Sequence, residues 1–259
     1  MSIKFKSSIN DLYYNDLYVY TYNDININDF VNIKRIYLYD CNNIILQNLL
    51  NVKELYLYNS HNITIEKINN LEIINLEYSD INIKDDELKK LKEIKLRECK
   101  DISIDKMKNL EKLELINCED IFISELIKLK ELSIKNCINI DVEYLYTFIN
   151  LQKLIIINVK TSNLSISDYD ICYDIKELPN TLTKLKILEY YGENNIVIPY
   201  NLSNLKKIKI YNNNNYLTFI KNIGYNIESL KELDNLEENE ETNKQIKDFL
   251  EIFKPKSLK

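Results

Sequence analysis

The sequence has few of the residues on which many catalytic sites and membrane spans depend. Its 259 residues include 2 glycines, 3 prolines, one histidine and no tryptophan. Gly192 and Gly224 are the only glycines, so there is no glycine-rich loop to hold a phosphate. The N-terminus lacks the apolar stretch of a signal peptide, and no apolar run of about 18 residues could span a membrane. We therefore expect a soluble cytoplasmic protein without a membrane partner.

The charge balance argues against nucleic acid as a partner. Lys and Arg number 34 and Asp and Glu number 40, which gives a net charge of -6. Binding to phosphates requires a concentrated positive field, which a mildly acidic chain does not predict. Hydrophobic residues make up 45% of the chain, so the sequence predicts a packed core and not a disordered chain.

A repeat of 19 or 20 residues dominates the chain. Two clear copies are VKELYLYNSHNITI from Val52 and LKEIKLRECKDISI from Leu91. Copies start at positions 14, 33, 52, 71, 91, 110 and 129, in steps of 19, 19, 19, 20, 19 and 19 residues. Looser copies begin at Leu151, Leu185 and Leu205. In each clear copy, a second apolar pair such as Ile102 and Ile104 alternates like a short strand.

This pattern resembles the leucine-rich-repeat family, whose L-x-x-L-x-L-x-x-N/C-x-L unit spans about 20–29 residues. The resemblance covers approximately residues 12–220. It implies a repeat solenoid with one parallel β-strand per repeat on a concave face. The short period leaves little room for a helix on the convex side, so a short strand or a 3₁₀ turn is expected there. The composition also resembles that of leucine-rich-repeat gene-family proteins of insect poxviruses, which implies a host protein as partner.

The C-terminal part of the chain departs from the regular period. The copies near Leu178 and Ile198 resemble the L-P-x-x-L form of the repeat, and 34 residues separate Leu151 from Leu185. We expect a solenoid of about nine or ten repeats over residues 1–224, with an irregular insertion near 160–178. Residues 225–259 are predicted to form an acidic C-terminal helical cap. Its apolar residues have helical spacing: Ile246, Phe249, Leu250 and Phe253. Such a helix would cover the open end of the last repeat or dock into a groove of a partner.

Four of the five cysteines occupy one position of the repeat. They are Cys41, Cys99, Cys118 and Cys137, while Cys172 lies in the insertion. Ser60 and Ser79 fill the same position in the two intervening copies. Strand stacking would space this column by about 4.7–4.9 Å in a line, which is not a tetrahedral metal site. We expect buried free thiols, no metal and no cofactor, as in a reducing compartment.

Tyrosines mark a candidate binding face. The resemblance implies that the non-core positions of each strand face the concave side, where proteins of this family usually bind. Six tyrosines in three consecutive copies would form an aromatic block there, followed by Arg97 and two later tyrosines. The predicted partner-binding residues are Tyr18, Tyr20, Tyr37, Tyr39, Tyr56, Tyr58, Arg97, Tyr191 and Tyr211. Tyrosine is favoured at interfaces. The sequence leaves open two alternative explanations: the high strand propensity of tyrosine, and a compositional bias towards tyrosine that duplicated copies would inherit.

The function expected from this pattern is that of a monomeric, non-catalytic protein-binding module. Neither the lone His61 nor any spacing of Asp and Glu marks a catalytic group, so we do not expect an enzyme. One alternative is carbohydrate binding by tyrosine stacking, which the absence of tryptophan weakens. Another is a right-handed β-helix enzyme acting on polysaccharide, with three strands per repeat and an acidic cluster.

Overall fold

A computed structural model describes residues 15–24, 26–28, 30, 32–83, 88–104, 107–140, 143–159, 178–192 and 202–212. The predicted cap at 225–259, Cys172 and all but the last residue of the predicted insertion lie outside these ranges. The elements in chain order are β1 (Asp16–Tyr20), β2 (Asn26–Asn28), β3 (Arg35–Tyr39), β4 (Ile45–Gln47), β5 (Glu54–Tyr58), β6 (Ile63–Glu66), β7 (Ile73–Glu77), β8 (Ile81–Ile83), β9 (Glu93–Arg97), β10 (Lys112–Ile116), β11 (Glu131–Lys135), a 3₁₀ helix η1 (Glu143–Thr147), β12 (Lys153–Ile157), β13 (Ile187–Gly192) and β14 (Lys207–Asn212).

Ten strands form one parallel sheet in the order β1-β3-β5-β7-β9-β10-β11-β12-β13-β14. Each of these strands begins two residues into one of the ten sequence copies, and neighbouring strands pair in register at the repeat spacing. The strand residues alternate between buried and outward-facing, as in β10, where Leu113 and Leu115 point into the core. The prediction of one parallel strand per repeat is therefore confirmed, and the protein is a parallel β-solenoid.

The opposite wall of the solenoid changes along the chain. The strands β2, β4, β6 and β8 form a second parallel sheet behind the first four turns. In the next turns Ile102, Ile104 and Ile121 still point inward, but only Ser103 and Phe122 pair there, in an isolated bridge. The helix η1 follows in the copy that starts at Leu129, which at 22 residues is longer than the six before it. The expected short strand or 3₁₀ turn is confirmed, with each form in a different part of the chain.

The corners between these walls are built from left-handed residues that are not glycine. Seventeen described non-glycine residues have a positive φ, and twelve of them are Asn or Asp. These two residue types tolerate the left-handed region because their short polar side chains can bond locally. The chain thus makes its tight corners with Asn and Asp in place of glycine.

Asparagines at successive corners also bond to one another along the solenoid. The Asn136 amide donates to Asn117 Oδ1 at 3.2 Å, and Asn158 donates to Asn136 Oδ1 at 3.1 Å. At the next corner, Asn43 donates to Asp24 at 2.8 Å and Asn62 donates to Asn43 at 3.0 Å. Each corner side chain therefore stabilises both its own turn and the neighbouring turn.

The predicted cysteine column is buried in the structure. Cys41, Cys99, Cys118 and Cys137 are free thiols, and Ser60 and Ser79 lie buried between them. Each Sγ or Oγ donates to the carbonyl two residues earlier, as in Cys118 to Ile116 at 3.3 Å and Ser79 to Glu77 at 2.7 Å. A neighbouring turn can use the same atom, since the Cys41 amide donates to Ser60 Oγ at 3.1 Å. The column is a structural hydrogen-bonding strip inside the corner.

We predict that Asn136→Ala lowers the free energy of unfolding by about 1–2 kcal/mol. Alanine is disfavoured at positive φ, and it cannot form the side-chain hydrogen bonds with Asn117 and Asn158. Asn136→Gly keeps the backbone conformation and should cost less. Chemical denaturation measures both changes. The exposed strand residue Asn28 supplies the control, since Asn28→Ala should change stability by less than about 0.5 kcal/mol. Equal losses for Asn28→Ala and Asn136→Ala would show that the corner has no special role.

We also predict that the four buried thiols do not react with Ellman's reagent in the native protein. Burial raises the pKa of the Cys41 thiol, and attack requires an accessible thiolate. A Cys172→Ser background isolates the four column thiols. All four should react after unfolding in guanidinium chloride, and rapid reaction of any of them in the native state would contradict their burial.

Candidate functional site

The outward face of the ten-stranded sheet carries three columns of side chains along the solenoid. The first column occupies the strand starts, from Asp16 through Arg35 to Glu54. The middle column begins with Tyr18, and the last column begins with Tyr20. Register pairing aligns Tyr18, Tyr37 and Tyr56 in the middle column and Tyr20, Tyr39 and Tyr58 in the last column. We call these six residues the tyrosine block.

The rings of the tyrosine block stack in two rows. In the middle row the ring centroids of Tyr18 and Tyr37 are 4.6 Å apart with an interplanar angle of 6°, and those of Tyr37 and Tyr56 are 4.6 Å apart at 8°. In the last row Tyr20 and Tyr39 stack at 4.9 Å and 9°. The spacing matches the distance between parallel strands, so the sheet itself sets the stack. The structure therefore brings all six predicted tyrosines together.

The regular stacking of the last row ends at Tyr58, its C-terminal member. Tyr39 and Tyr58 are 6.3 Å apart and tilted by 44°, and Tyr78 meets Tyr58 edge-on at 6.2 Å and 81°. Tyr58 is 43% exposed and Tyr78 46% exposed. Tyr78 extends the candidate site and was not predicted from the sequence, because it lies at a corner and not in a strand column. Its position directly after Glu77, one strand beyond Tyr58, is the signal that could have identified it.

Charged groups hold the strand-start side of the block in place. The Arg35 guanidinium binds the Asp16 carboxylate through two bonds of 2.7 and 2.9 Å, and this hydrogen bond and charge raise the pKa of Arg35. The Tyr56 hydroxyl donates to Glu54 Oε2 at 2.7 Å. Partial burial, together with this bond, raises the pKa of Tyr56, and partial burial raises those of Tyr37 and Tyr39. The hydroxyls of Tyr37, Tyr39 and Tyr56 are therefore neutral at physiological pH.

Beyond the block the face carries paired charges. Glu93 Oε1 lies 3.0 Å from Lys112 Nζ and 3.3 Å from Lys95 Nζ. Partial burial opposes the ionisation of Glu93, but the hydrogen bonds and charges of these lysines outweigh it and lower its pKa. Lys135 pairs with Glu114 at 3.4 Å. This region therefore offers a partner few free charges.

Arg97 and the last predicted tyrosines lie apart from the block. Arg97 is two strands beyond Tyr58 in the last column, with Glu77 between them. It is exposed and forms no ion pair with any described residue. Tyr191 lies in the same column on β13, in register with Tyr211 on β14. The nine predicted residues thus occupy the block, a single central cation and the far end of the sheet.

One polar cluster outside this face contains the single histidine. His61 is exposed, with its Nδ1 2.8 Å from Asp80 Oδ2, and the backbone N–H of Asn62 donates to Asp80 Oδ1 at 2.6 Å. In the described part of the chain, no three His, Cys, Asp or Glu side chains are grouped to hold a metal ion. Within the same ranges, no helix is long and apolar enough to cross a membrane.

No protein-family model matches the sequence, and no curated protein matches it. Among solved structures, the chain is similar to the crystal structure of an internalin from Listeria monocytogenes. The sequences are 20% identical, the match covers 80% of this chain and 66% of the internalin chain, and the TM-score is 0.43. The parallel β-solenoid itself is defined by the in-register pairing of its strands.

We predict that part of the tyrosine block ionises above the ordinary tyrosine pKa of 10.0. A pKa raised in the folded state stabilises the fold fully below the unfolded value, and this contribution is lost as pH rises through the folded value. Stability should therefore fall above about pH 10, as the tyrosinate absorbance rises.

The variant Glu54→Gln isolates one contact in this titration. It removes the carboxylate that raises the pKa of Tyr56, so Tyr56 should ionise at lower pH than in the parent protein. Glu77→Gln is the matched control, since Glu77 lies on the same face without contributing to the Tyr56 shift. If both variants titrate like the parent protein, the Tyr56–Glu54 bond does not form in solution.

Proposed function

We propose that this chain is a non-catalytic protein-binding module and that the tyrosine block, extended by Tyr78, is its main contact surface. The observation that carries the proposal is the grouping of six tyrosines on the outward face of the sheet, where five of the rings stack and Tyr58 tilts out of its row. Tyr20, Tyr58 and Tyr78 are each more than 40% exposed and the other rings are half-buried beside them, and contiguous apolar patches at a protein surface often mark interaction sites. Tyrosine is also enriched among the residues that dominate binding energy at protein interfaces.

Preorganisation supports the same conclusion. Binding normally costs about 0.5–1.5 kcal/mol for each flexible side chain that becomes immobilised. Stacking and the bond from Tyr56 to Glu54 already restrict these rings in the free protein. The block would therefore lose little further side-chain entropy on contact with a partner.

The stacking geometry favours protein over carbohydrate as the partner. A sugar ring binds an aromatic residue by lying on its face. In the middle row Tyr37 is covered on both faces by Tyr18 and Tyr56, so the row offers mainly ring edges and hydroxyls. Edges and hydroxyls suit backbone and side-chain groups of a polypeptide, which can approach them as hydrogen-bond partners.

The remaining assignments belong to the same proposal. Arg97 would pair with an acidic group of the partner, and Tyr191 and Tyr211 would form a secondary contact at the far end of the face. The four described free thiols support a reducing cytoplasmic environment. We propose that the protein acts there as a monomer. The resemblance to repeat proteins of insect poxviruses would make a host protein its target.

We predict that Tyr39→Ala with Tyr58→Ala abolishes capture of a partner from lysate of the cells in which the protein acts. Truncation of interface tyrosines that dominate binding costs at least about 2 kcal/mol each, or roughly 30-fold in affinity. Tyr146→Ala is the matched control, because Tyr146 is an exposed tyrosine in η1 and outside the block. Mass spectrometry of the captured proteins, with circular dichroism to confirm folding, provides the measurement.

The informative result is a protein that the parent and the Tyr146→Ala variant retain and the block variant loses. If the folded block variant captures the same proteins as the parent, the block is not the binding surface. Binding of the parent to a glycan array with loss in the block variant would instead identify a carbohydrate-binding protein.

A further inference from the structure

A second feature lies along the edge of the solenoid where the chain turns into each strand of the ten-stranded sheet. This edge consists of the residues one to four positions before the strands, and we call it the lysine edge. Its lysines are all exposed: Lys34, Lys53, Lys89, Lys90, Lys92, Lys108, Lys128, Lys130, Lys184, Lys186 and Lys206. Because the turns stack in register, these side chains project from one line along the molecule.

Few of these charges are neutralised within the protein. Glu72 pairs with Lys53 at 3.1 Å and with Lys92 at 3.5 Å, and Glu111 pairs with Lys130 at 2.7 Å. Among the described residues, the other eight lysines of the edge form no ion pair. The edge therefore keeps an excess of positive charge although the whole chain is acidic.

Neutral amides in the preceding turn orient several of these free charges. Lys90 Nζ donates to Asn70 Oδ1 at 2.6 Å, and Lys128 Nζ donates to Asn109 Oδ1 at 2.6 Å. Lys184 makes the same contact with Asn150 at 2.5 Å. An amide oxygen holds the ammonium in place without cancelling its charge. The lysines are thus aligned as cations along the edge.

The free charges are closely spaced towards the C-terminal half. Seven of them precede β9, β10, β11, β13 and β14: Lys89, Lys90, Lys108, Lys128, Lys184, Lys186 and Lys206. At about 4.8 Å per strand, the six strands from β9 to β14 span roughly 24 Å. Like charges at this spacing repel one another, and a multivalent anionic partner would relieve that repulsion.

Apolar side chains share the tips of the same turns. The residue four positions before the strand is Lys89 before β9 and Lys108 before β10, but Ile127 before β11 and Ile149 before β12. Ile127 is 49% exposed and Ile149 is 50% exposed, and Leu50 at the same position before β5 is 57% exposed. The edge therefore combines cations with exposed aliphatic tips.

We propose that the lysine edge docks the protein on an anionic lipid surface. Lysines near such a surface are attracted to its headgroups, and aliphatic tips enter the boundary between headgroups and acyl chains. Nucleic acid fits less well, because exposed isoleucines gain nothing from a phosphate backbone. The expectation of no membrane partner came from the absence of a spanning segment, which surface docking does not require.

The opposite edge sets the orientation of docking. Among the described corners that follow the strands, Lys100 is basic and pairs with Glu119 and Asp120. The acidic residues there outnumber it: Asp24, Asp40, Asp80, Glu98, Asp101, Glu119 and Asp120. An anionic surface repels that edge and attracts the lysine edge. The tyrosine block lies on the sheet between the two edges, so docking leaves it accessible. The proposal is independent of the identity of any protein partner.

The test is co-sedimentation of the full chain with vesicles of phosphatidylcholine containing phosphatidylserine, compared with phosphatidylcholine alone. We expect the protein to bind only the vesicles that contain phosphatidylserine, and this binding should weaken as the salt concentration is raised. Lys89→Glu with Lys128→Glu should weaken binding at least about tenfold. Ile127→Ser with Ile149→Ser should weaken it about fivefold at unchanged charge.

The matched control combines Asn26→Asp, Asn28→Asp, Asn82→Asp and Phe122→Asp, which changes the net charge as much as the lysine variant does. These four residues are exposed and lie on the wall opposite the ten-stranded sheet, so binding should stay within about twofold of the parent. The proposal fails if the parent does not bind the anionic vesicles or if the control loses as much affinity as the lysine variant. It also fails if duplex DNA binds as tightly as the vesicles and the isoleucine variant binds normally, which would identify nucleic acid as the ligand.

Discussion

Each turn of this solenoid leaves a row of backbone donors and acceptors and a strip of apolar side chains that only another turn can cover. In strands β9, β10 and β11 the neighbouring turn supplies this cover, because Ile94, Leu113 and Leu132 lie in register on adjacent strands. Because the turns stack in register, any residue type that recurs in the repeat forms a column of like side chains at about 4.8 Å spacing.

Columns of like residues are favourable or unfavourable according to their chemistry. Leucine, serine, cysteine, asparagine and tyrosine can each bond or pack against a copy of themselves, and all five form columns here. Like charges repel at this distance, so the crowded outward face alternates their sign, as in Glu93, Lys112 and Glu131. Only at the solvent-exposed lysine edge do cations accumulate in one line, where water and salt screen them.

The repeat period was sufficient to predict the strands, their register and the inward cysteine column. These features follow directly from which residues recur and from the alternation of a strand. The end of the second sheet at β8 could not be predicted in the same way. Ile102 and Ile104 are buried and alternate with outward residues just as they would in a strand, so their pattern does not show whether the backbone there pairs with its neighbours. The corner role of asparagine was also missed, since the sequence does not show which backbone positions have positive φ. The contribution of Tyr78 depends on the turn geometry at one corner.

The tyrosines of the block recur in three successive repeats, and their rings could stabilise the solenoid, contact a partner, or do both. A stacked pair contributes about 0.5–1.5 kcal/mol beyond its burial, which is enough to explain the regular middle row as a stabilising ladder. The last row does not follow that rule, because Tyr58 tilts away from Tyr39 and meets Tyr78 edge-on. Edge-to-face rings are about as favourable as stacked ones, so the energy of ring packing alone does not decide between the two geometries. The tilt keeps Tyr58 and Tyr78 exposed beside the ordered rings, which places the proposed contact surface at the open end of the stabilising row.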